Sequence, residues 1–233
     1  MLRVMTYNIY SGRKPNEGYD LEGKIRVMAA HSPDIIGLNE VHRGTNLSSG
    51  RSQTDDIADA LGMKYRFFGR TIYHDGGEYG IALLSRYPFR SAKAIPVPAE
   101  DDGTPRFEPR ILIKAVVATP QGDITVIISH YGLTENERRC AAETTLSLLD
   151  GTPTIFMGDL NTTPDEDILA PVFSALKDLG EGKEEKALLS FPSWKPEIRI
   201  DYIFGSEGVR APDYEVIDSR ESDHRPVCAL IDF

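Results

Sequence analysis

The stretch that most constrains this chain is residues 154–161, which read Thr-Ile-Phe-Met-Gly-Asp-Leu-Asn. Its apolar run is of the kind found in short buried strands, and Gly158 ends that run. Asp159 and Asn161 follow with one residue between them, so a continued strand would point both side chains the same way. A carboxylate and a carboxamide placed together could hold a hard metal ion or a phosphate. An Asx-type turn before Pro164 explains the same residues equally well.

Length and composition limit the classes of protein that remain. A chain of 233 residues suits one large domain or two small ones, and its 40% hydrophobic content indicates a globular fold. Without an internal repeat or a low-complexity linker, we predict one domain over residues 1–233. The formal net charge of −10 argues against sequence-independent binding of nucleic acid, which needs clustered Lys and Arg. It does not exclude a nuclease, because the carboxylates of a metal site count in that total.

The cysteines and the apolar runs bear on metal type and on location. Cys140 and Cys228 are far apart, so neither a disulfide framework nor a zinc cage is predicted. No run approaches about 18 apolar residues, the length expected of a membrane-spanning helix. Residues 2–5 already read as a strand and not as a signal peptide, so a cytoplasmic location is expected.

Apolar runs and amphipathic segments alternate along the chain and predict an α/β fold with mixed sheets. One helix is expected after the N-cap Asp20, and another follows the capping box of Thr134 and Glu137. Further helices are predicted over 54–61, closed by Gly62, and over 168–176. Strands are predicted at 2–7, 35–38, 65–68, 81–84, 89–97, 111–118, 124–129, 155–157, 199–204, 214–217 and 227–231. Of these, 89–97 is expected at a sheet edge, because its prolines cannot donate to a ladder.

Several polar residues share one situation, since each flanks an apolar strand at its end. Ligand sites in α/β proteins gather at such strand ends, on loops that a rigid scaffold holds. Any one of these residues alone is explained by solvation or by ordinary structure. Their recurrence favours a common site. The residues are Asn8, Glu40, His130, Asp159, Asn161, Asp223 and His224.

These residue types support a particular chemistry. Oxygen ligands without cysteine suit Mg²⁺ or Mn²⁺, and two histidines can supply acid, base or electrostatic groups. Asp201 lies inside an apolar strand, where an unpaired carboxylate would be costly. We therefore expect a partner for it, and His224 is a good candidate. Such a pair would fix one tautomer of the imidazole and raise its basicity.

Six short segments, in this order, resemble the endonuclease/exonuclease/phosphatase superfamily, which includes pancreatic deoxyribonuclease, abasic-site endonucleases, inositol polyphosphate 5-phosphatases and sphingomyelinases. They are Thr-Tyr-Asn-Ile at 6–9, Leu-Asn-Glu-Val at 38–41, Ser-His-Tyr-Gly-Leu at 129–133, Gly-Asp-Leu-Asn at 158–161, Arg-Ile-Asp-Tyr-Ile-Phe at 199–204 and Ser-Asp-His at 222–224. Segments 77–80, 84–88, 108–110 and 191–193 resemble a small bacterial branch of metal-dependent hydrolases. Asn39 departs from the family pattern, in which Gln usually precedes the metal-binding Glu. Its shorter side chain puts any contact from this position in question.

The resemblance implies a four-layer α/β/β/α sandwich and a hydrolase that uses Mg²⁺, with Mn²⁺ as a possible substitute. By this similarity Glu40 would be the main metal ligand, supported by Asn8. Asp159 would orient or deprotonate the attacking water, and His130 would stabilise phosphoryl charge or protonate the leaving oxygen. Asn161 would hold a phosphate or a metal, and Asp223 and His224 would complete the ligand set. His224, together with Asp201, would also contact the phosphate. The reaction would be metal-assisted in-line attack of water on phosphorus.

Three functions remain open from the sequence: a Mg²⁺-dependent phosphoesterase, a nuclease, and a non-catalytic binding module on the same fold. Arg43, Arg51 and Arg110 could approach the site and hold a phosphate, or could equally pair with surface carboxylates. Basic tracts with interleaved aromatic residues, which a duplex nuclease would use, are missing. We therefore expect a small phosphodiester or phosphomonoester as the substrate, such as a nucleotide, a sugar phosphate or a phospholipid headgroup. No feature predicts an oligomeric state.

Overall fold

The computed structural model of the protein describes residues 1–101, 103–105 and 107–233. Its first half contains β1 (Leu2–Asn8), β2 (Arg13–Lys14), β3 (Gly18–Tyr19), α1 (Leu21–His31), β4 (Ile35–Arg43), α2 (Gln53–Leu61), β5 (Tyr65–His74), β6 (Gly77–Ser85), β7 (Phe89–Pro96) and β8 (Ile111–Thr119). The second half contains β9 (Gly122–His130), α3 (Glu135–Ser147), β10 (Thr154–Asp159), α4 (Ala170–Ala175), β11 (Lys177–Asp178), β12 (Asp201–Gly205), β13 (Arg210–Val216) and β14 (Val227–Asp232).

Two six-stranded sheets form the body of the molecule. Sheet I has the strand order β13-β14-β1-β4-β6-β5, and sheet II has the order β11-β12-β10-β9-β8-β7. Both are mixed, as predicted, because β1 runs parallel to β4 and β9 runs parallel to β10, while the other pairs in these sheets are antiparallel. The edge position predicted for 89–97 is confirmed, since β7 ends sheet II.

Apolar side chains fill three layers of contact. The inner faces of the two sheets pack on each other through residues such as Val4 of sheet I and Ile128 of sheet II. Helices α1 and α2 cover the outer face of sheet I, where Met28 and Ile57 pack. Helices α3 and α4 cover sheet II in the same way. The four-layer α/β/β/α sandwich is therefore confirmed, and the common inner core is consistent with one domain over 1–233, which stays a prediction.

Most predicted helix ends are found, and one predicted helix is wrong. Asp20 accepts the N–H of Gly23 at the start of α1, and the capping box at α3 is complete. Residues 168–176 were expected to form one helix, but a 3₁₀ turn at Asp167–Leu169 precedes the six-residue α4. Pro171 explains the break, because its missing N–H suits the first turn of a new helix. No helix in the described part of the chain is long and apolar enough to cross a membrane.

A buried carboxamide joins the two sheets near the ends of β9 and β10. Gly37 allows the approach, since a Cβ there would lie 2.7 Å from Cγ2 of Ile128 on sheet II. Two residues later, Asn39 Nδ2 donates to the Ser129 carbonyl oxygen at 2.9 Å, and Asn39 Oδ1 accepts the N–H of Asp159 at 3.1 Å. The shorter side chain at position 39 therefore reaches across to sheet II. Asp159 donates its N–H to this bridge and Glu40 follows Asn39 in sequence, so the bridge holds these two residues close to each other.

Removing this bridge should weaken the fold measurably. Asn39→Ala leaves the Ser129 carbonyl and the Asp159 N–H buried without partners, and we expect a loss of about 2–4 kcal/mol in the free energy of unfolding. Urea denaturation followed by circular dichroism, with chelator present, measures it. The control is Asn46→Ala, because Asn46 is exposed and bonds only on the surface; it should cost less than about 1 kcal/mol. Equal losses in the two variants would contradict the bridging role.

Candidate active site

A cavity of about 530 Å³ opens where the ends of strands from both sheets meet. Most of the residues that sequence analysis singled out lie in its wall, namely Glu40, Arg110, His130, Asp159, Asn161, Asp223 and His224. Two others lie directly behind the wall, because Asn8 and Asp201 are buried and bond to wall residues. The expected convergence of strand-end residues is therefore present in the structure.

The Asp159 carboxylate is the centre of the cluster, and it is 1% exposed. Its Oδ2 accepts a hydrogen bond from Asn8 Nδ2 at 3.0 Å and lies 3.4 Å and 3.5 Å from Nε2 of His130 and His224. Its Oδ1 accepts the backbone N–H of Asn161 at 3.0 Å, which is an Asx turn. The Asx turn and the polar cluster are therefore both present, and the Asp159 carboxylate belongs to both. Burial raises the pKa of Asp159 to about 6, although His224 opposes the shift.

The contact expected between Asp201 and His224 is present, with 2.9 Å between Oδ2 and Nδ1. The ring of Phe191 packs on the imidazole with 4.8 Å between ring centres. Burial acts to lower the pKa of His224, but Asp201 and Asp159 outweigh it and raise this pKa to about 10. His224 is therefore an imidazolium at neutral pH. One N–H points to Asp201 and the other to Asp159.

His130 has the opposite character. Arg110 NH1 lies 3.2 Å from its Nδ1 and must donate, so Nδ1 is the acceptor and the proton resides on Nε2. Burial lowers the pKa of His130 well below its ordinary value, and the positive charges of Arg110 and His224 act in the same direction. His130 is therefore a neutral ring whose Nε2–H points toward Asp159. The same Arg110 nitrogen lies 2.8 Å from Glu108 Oε1, which balances its charge.

Glu40 reaches the cavity through an irregularity in β4. The pairing of β4 with β6 shifts register between Leu38 and Val41, and Glu40 has φ +59°, in the left-handed region. A bulge of this kind re-aims a side chain, and the backbone strain is tolerated where the surroundings fix it. Glu40 Oε1 accepts from Asn8 Nδ2 at 3.1 Å. Burial, assisted by the charge of Asp223, raises the pKa of Glu40 to about 7.

The carboxylates around this cavity suit a divalent cation. Glu40, Asp159 and Asp223 all line it, and burial raises the pKa of Asp223 as well. Asp159, Asp201 and His224 each offer an atom within 4.8 Å of the others. Both ring nitrogens of His224 face carboxylates in the structure, and its role as a metal ligand stays a prediction. Crowded, proton-retaining carboxylates are the arrangement that a Mg²⁺ or Mn²⁺ ion would stabilise.

Asn8 and Arg43 have protein partners in the structure, and their predicted contacts with a metal and with a substrate stay predictions. Asn8 was expected to support the metal, but its Oδ1 accepts the N–H of Tyr10 at 3.0 Å. Its Nδ2 instead joins the Glu40 and Asp159 carboxylates. Arg43 lies outside the cavity wall: its Nε donates to Glu78 Oε2 at 2.6 Å, and its guanidinium stacks on Phe68. The alternative interpretation, pairing with a surface carboxylate, therefore describes Arg43.

Sequence reasoning missed several residues of the site. Tyr79, Glu108 and Glu166 also line the cavity. Arg138 NH1 donates to the Asn161 carbonyl at 2.7 Å and to Glu166 at 2.9 Å, which holds the loop after β10. Tyr79 and Glu108 belong to segments that supported the resemblance, and that was the signal available for them. The role of Arg138 depends on how α3 packs, which no local pattern indicates.

The raised carboxylate pKa values predict a pH-dependent stability. Glu40 has an ordinary pKa of 4.5 that rises to about 7 on folding, so its favourable contribution is complete below 4.5 and is lost as the pH rises through 7. With chelator present, the melting temperature of wild type relative to that of Glu40→Gln should fall as the pH is raised from about 5 to about 8. Added Mn²⁺ should raise the melting temperature of wild type, and the increase should be largest at the higher pH. A difference that stays constant with pH, measured by circular dichroism, would contradict the assigned environment of Glu40.

Comparisons with known proteins agree with this fold and site. The sequence model of the Endonuclease/Exonuclease/phosphatase family matches residues 5–224. An endonuclease/exonuclease/phosphatase from Beutenbergia cavernae DSM 12333 is 25% identical, with a TM-score of 0.84 over 99% of this chain and 71% of that chain. The Bacteroides thetaiotaomicron VPI-5482 mannosyl-6-phosphatase Bt3783 is 21% identical, with a TM-score of 0.76 over 100% of both chains.

A further structure of the same fold contains nucleic acid. D. rerio TDP2, complexed with a single-strand DNA product, is 17% identical, with a TM-score of 0.74 over 100% of this chain and 99% of that chain. Identities of 21% and 17% show a common fold and do not transfer a substrate. The family match covers nearly the whole chain and includes every strand-end segment of the cavity. The chain belongs to the Endonuclease/Exonuclease/phosphatase family, whose members are generally hydrolases that act on phosphoester bonds.

Proposed function

We propose that the protein is a divalent-metal-dependent phosphoesterase. The observation that carries the proposal is the environment of Asp159, whose carboxylate lies between a neutral histidine and an imidazolium beside Glu40. An ionised carboxylate held in this position could accept a proton from water and so act as a general base. A non-catalytic binding module would not need two histidines held in opposite protonation states around one carboxylate.

The residues that would hold Mg²⁺ or Mn²⁺ are Glu40, Asp223 and Asp159, with Asn161 as a further oxygen donor. Asn161 Nδ2 donates to the Tyr131 carbonyl at 2.9 Å, so the side-chain oxygen Oδ1 is the atom that Asn161 could offer to a ligand in the cavity. An acceptor of this kind suits a cation or the attacking water better than a phosphate oxygen. When bound, the cation would neutralise charge on the phosphoryl oxygens.

The side chains would then carry the proton transfers. Water oxygen attacks phosphorus as the bond to the leaving oxygen breaks, and Asp159 takes the proton of the water. The His224 imidazolium gives its Nε2 proton to the leaving oxygen and recovers a proton from Asp159 across the 3.5 Å contact. Asp201 holds the ring orientation throughout. His130 and Arg110 are donors and would stabilise negative charge on the phosphoryl group.

The cavity favours a small substrate. Its volume of about 530 Å³ lies in the range of small-molecule sites. The net charge of −10 would repel a polyanion. The structural similarity to a mannosyl-6-phosphatase is in keeping with a small phosphoester. The alternative substrate is DNA or RNA, in keeping with the similarity to a TDP2 bound to single-strand DNA.

Replacing the central carboxylate should abolish turnover. Asp159→Asn keeps the shape of the side chain but removes its basicity, and kcat/KM should fall by at least about 100-fold. The rate of hydrolysis of an aryl phosphoester with Mn²⁺ measures it, with circular dichroism to verify folding. Asp213→Asn is the control, because Asp213 is exposed on β13. A folded Asp159→Asn protein with wild-type activity would exclude this mechanism.

A substrate panel tests both the metal requirement and the substrate class. It should contain an aryl phosphomonoester, an aryl phosphodiester, a hexose phosphate, a glycerophosphodiester and plasmid DNA, each with Mg²⁺, with Mn²⁺ and with chelator. We expect chelator to stop hydrolysis and small esters to react faster than DNA. Strong, salt-sensitive cutting of DNA at physiological ionic strength would instead favour the nuclease alternative.

A further inference from the structure

Tyr79 is a wall residue that the proposed chemistry has not used. It lies on β6, opposite His42 of β4 and Ile72 of β5 in the strand register. Its side chain lines the same cavity as Glu40, Asp159 and Arg110. Sheet I therefore brings a phenol, as well as a carboxylate, to the cavity.

The Tyr79 ring is held firmly by its neighbours. It meets the rings of His42 and His74 edge-on, with 5.3 Å and 6.2 Å between ring centres. His42 is fixed in turn, because its Nδ1 lies 2.9 Å from Oγ1 of the buried Thr45. These contacts engage the ring and not the hydroxyl. The direction of the hydroxyl is therefore set by packing.

The Tyr79 hydroxyl has no hydrogen-bond partner among residues 1–101, 103–105 and 107–233. The charged groups that act on it are cavity residues, including Glu40, Glu108, Arg110 and Asp159. A phenol is neutral at physiological pH, and burial raises its pKa further here. The cavity thus contains an uncharged O–H donor that no side chain in the described part of the chain uses.

We propose that Tyr79 is a further catalytic residue, whose hydroxyl donates a hydrogen bond to a non-bridging oxygen of the phosphoryl group. This inference rests on the proposed phosphoesterase function. It would give the phosphoryl group a neutral donor from sheet I, in addition to Arg110, which directly precedes β8, and His130 of β9. A neutral donor can approach the cation-binding carboxylates without competing with the metal for them, which a Lys or Arg at this position could not do.

The test compares wild type with Tyr79→Phe, which removes only the oxygen. Tyr73→Phe is the matched control, because Tyr73 lies on the adjoining β5 with 75% of its surface exposed. Calorimetric titration of each Mn²⁺-loaded protein with inorganic phosphate gives the affinity without turnover. We expect about 10-fold weaker phosphate binding and a similar or larger loss of kcat/KM in Tyr79→Phe. Tyr73→Phe should behave as wild type.

A second measurement guards against an effect on folding. Phosphate should perturb the near-ultraviolet tyrosine absorption of wild type and of Tyr73→Phe, and the perturbation should be missing in Tyr79→Phe. Wild-type phosphate affinity and wild-type kcat/KM in Tyr79→Phe would overturn the role of Tyr79 and leave the proposed function standing. A wild-type protein that neither binds phosphate nor cleaves any ester of the panel would overturn the proposed function, and this role with it.

Discussion

The site depends on the hydrogen bonds of the Asn39 carboxamide, because they join the two sheets near the strand ends where the cavity opens. The carboxamide accepts from the backbone of Asp159 on sheet II, while the next residue on its own strand is Glu40. Neither sheet alone contains the cavity. A carboxylate from each sheet meets at the single amide of Asn8, which donates to both. The geometry of the inner core thereby becomes the geometry of the site.

Charge balance explains why the polar groups are arranged as they are. Three carboxylates, Asp159, Asp201 and Glu40, are held close to one imidazolium, so negative charge exceeds positive charge at this end of the cavity. Burying that excess is unfavourable unless protons or a cation offset it. Hydrogen bonds from the Asn8 side chain and the Asn161 backbone N–H stabilise the Asp159 carboxylate without adding charge. Under the proposed function, a bound divalent cation would offset this excess of negative charge.

The sequence predicted the parts of the site that follow from local pattern. Strand ends located the polar residues, and the cost of an unpaired carboxylate inside an apolar strand predicted the Asp201–His224 contact. Arg43 and Arg110 could not be told apart, since both follow or precede a strand and only packing decides which one meets a carboxylate outside the cavity. The left-handed backbone of Glu40 was equally invisible, because a register shift in pairing with β6 produces it. The direction in which Asn8 turns its amide depends on the N–H of Tyr10.

The central claim is that Glu40, Asp159 and Asp223 form one divalent-cation site at which a phosphoryl group reacts. A crystal structure grown with Mn²⁺ and inorganic phosphate, with the ion located by anomalous scattering, tests it most directly. We expect Mn²⁺ at about 2.0–2.3 Å from carboxylate oxygens of this set, and the phosphate in contact with His130 or His224. Mn²⁺ bound elsewhere, or phosphate bound outside the cavity, would contradict the account.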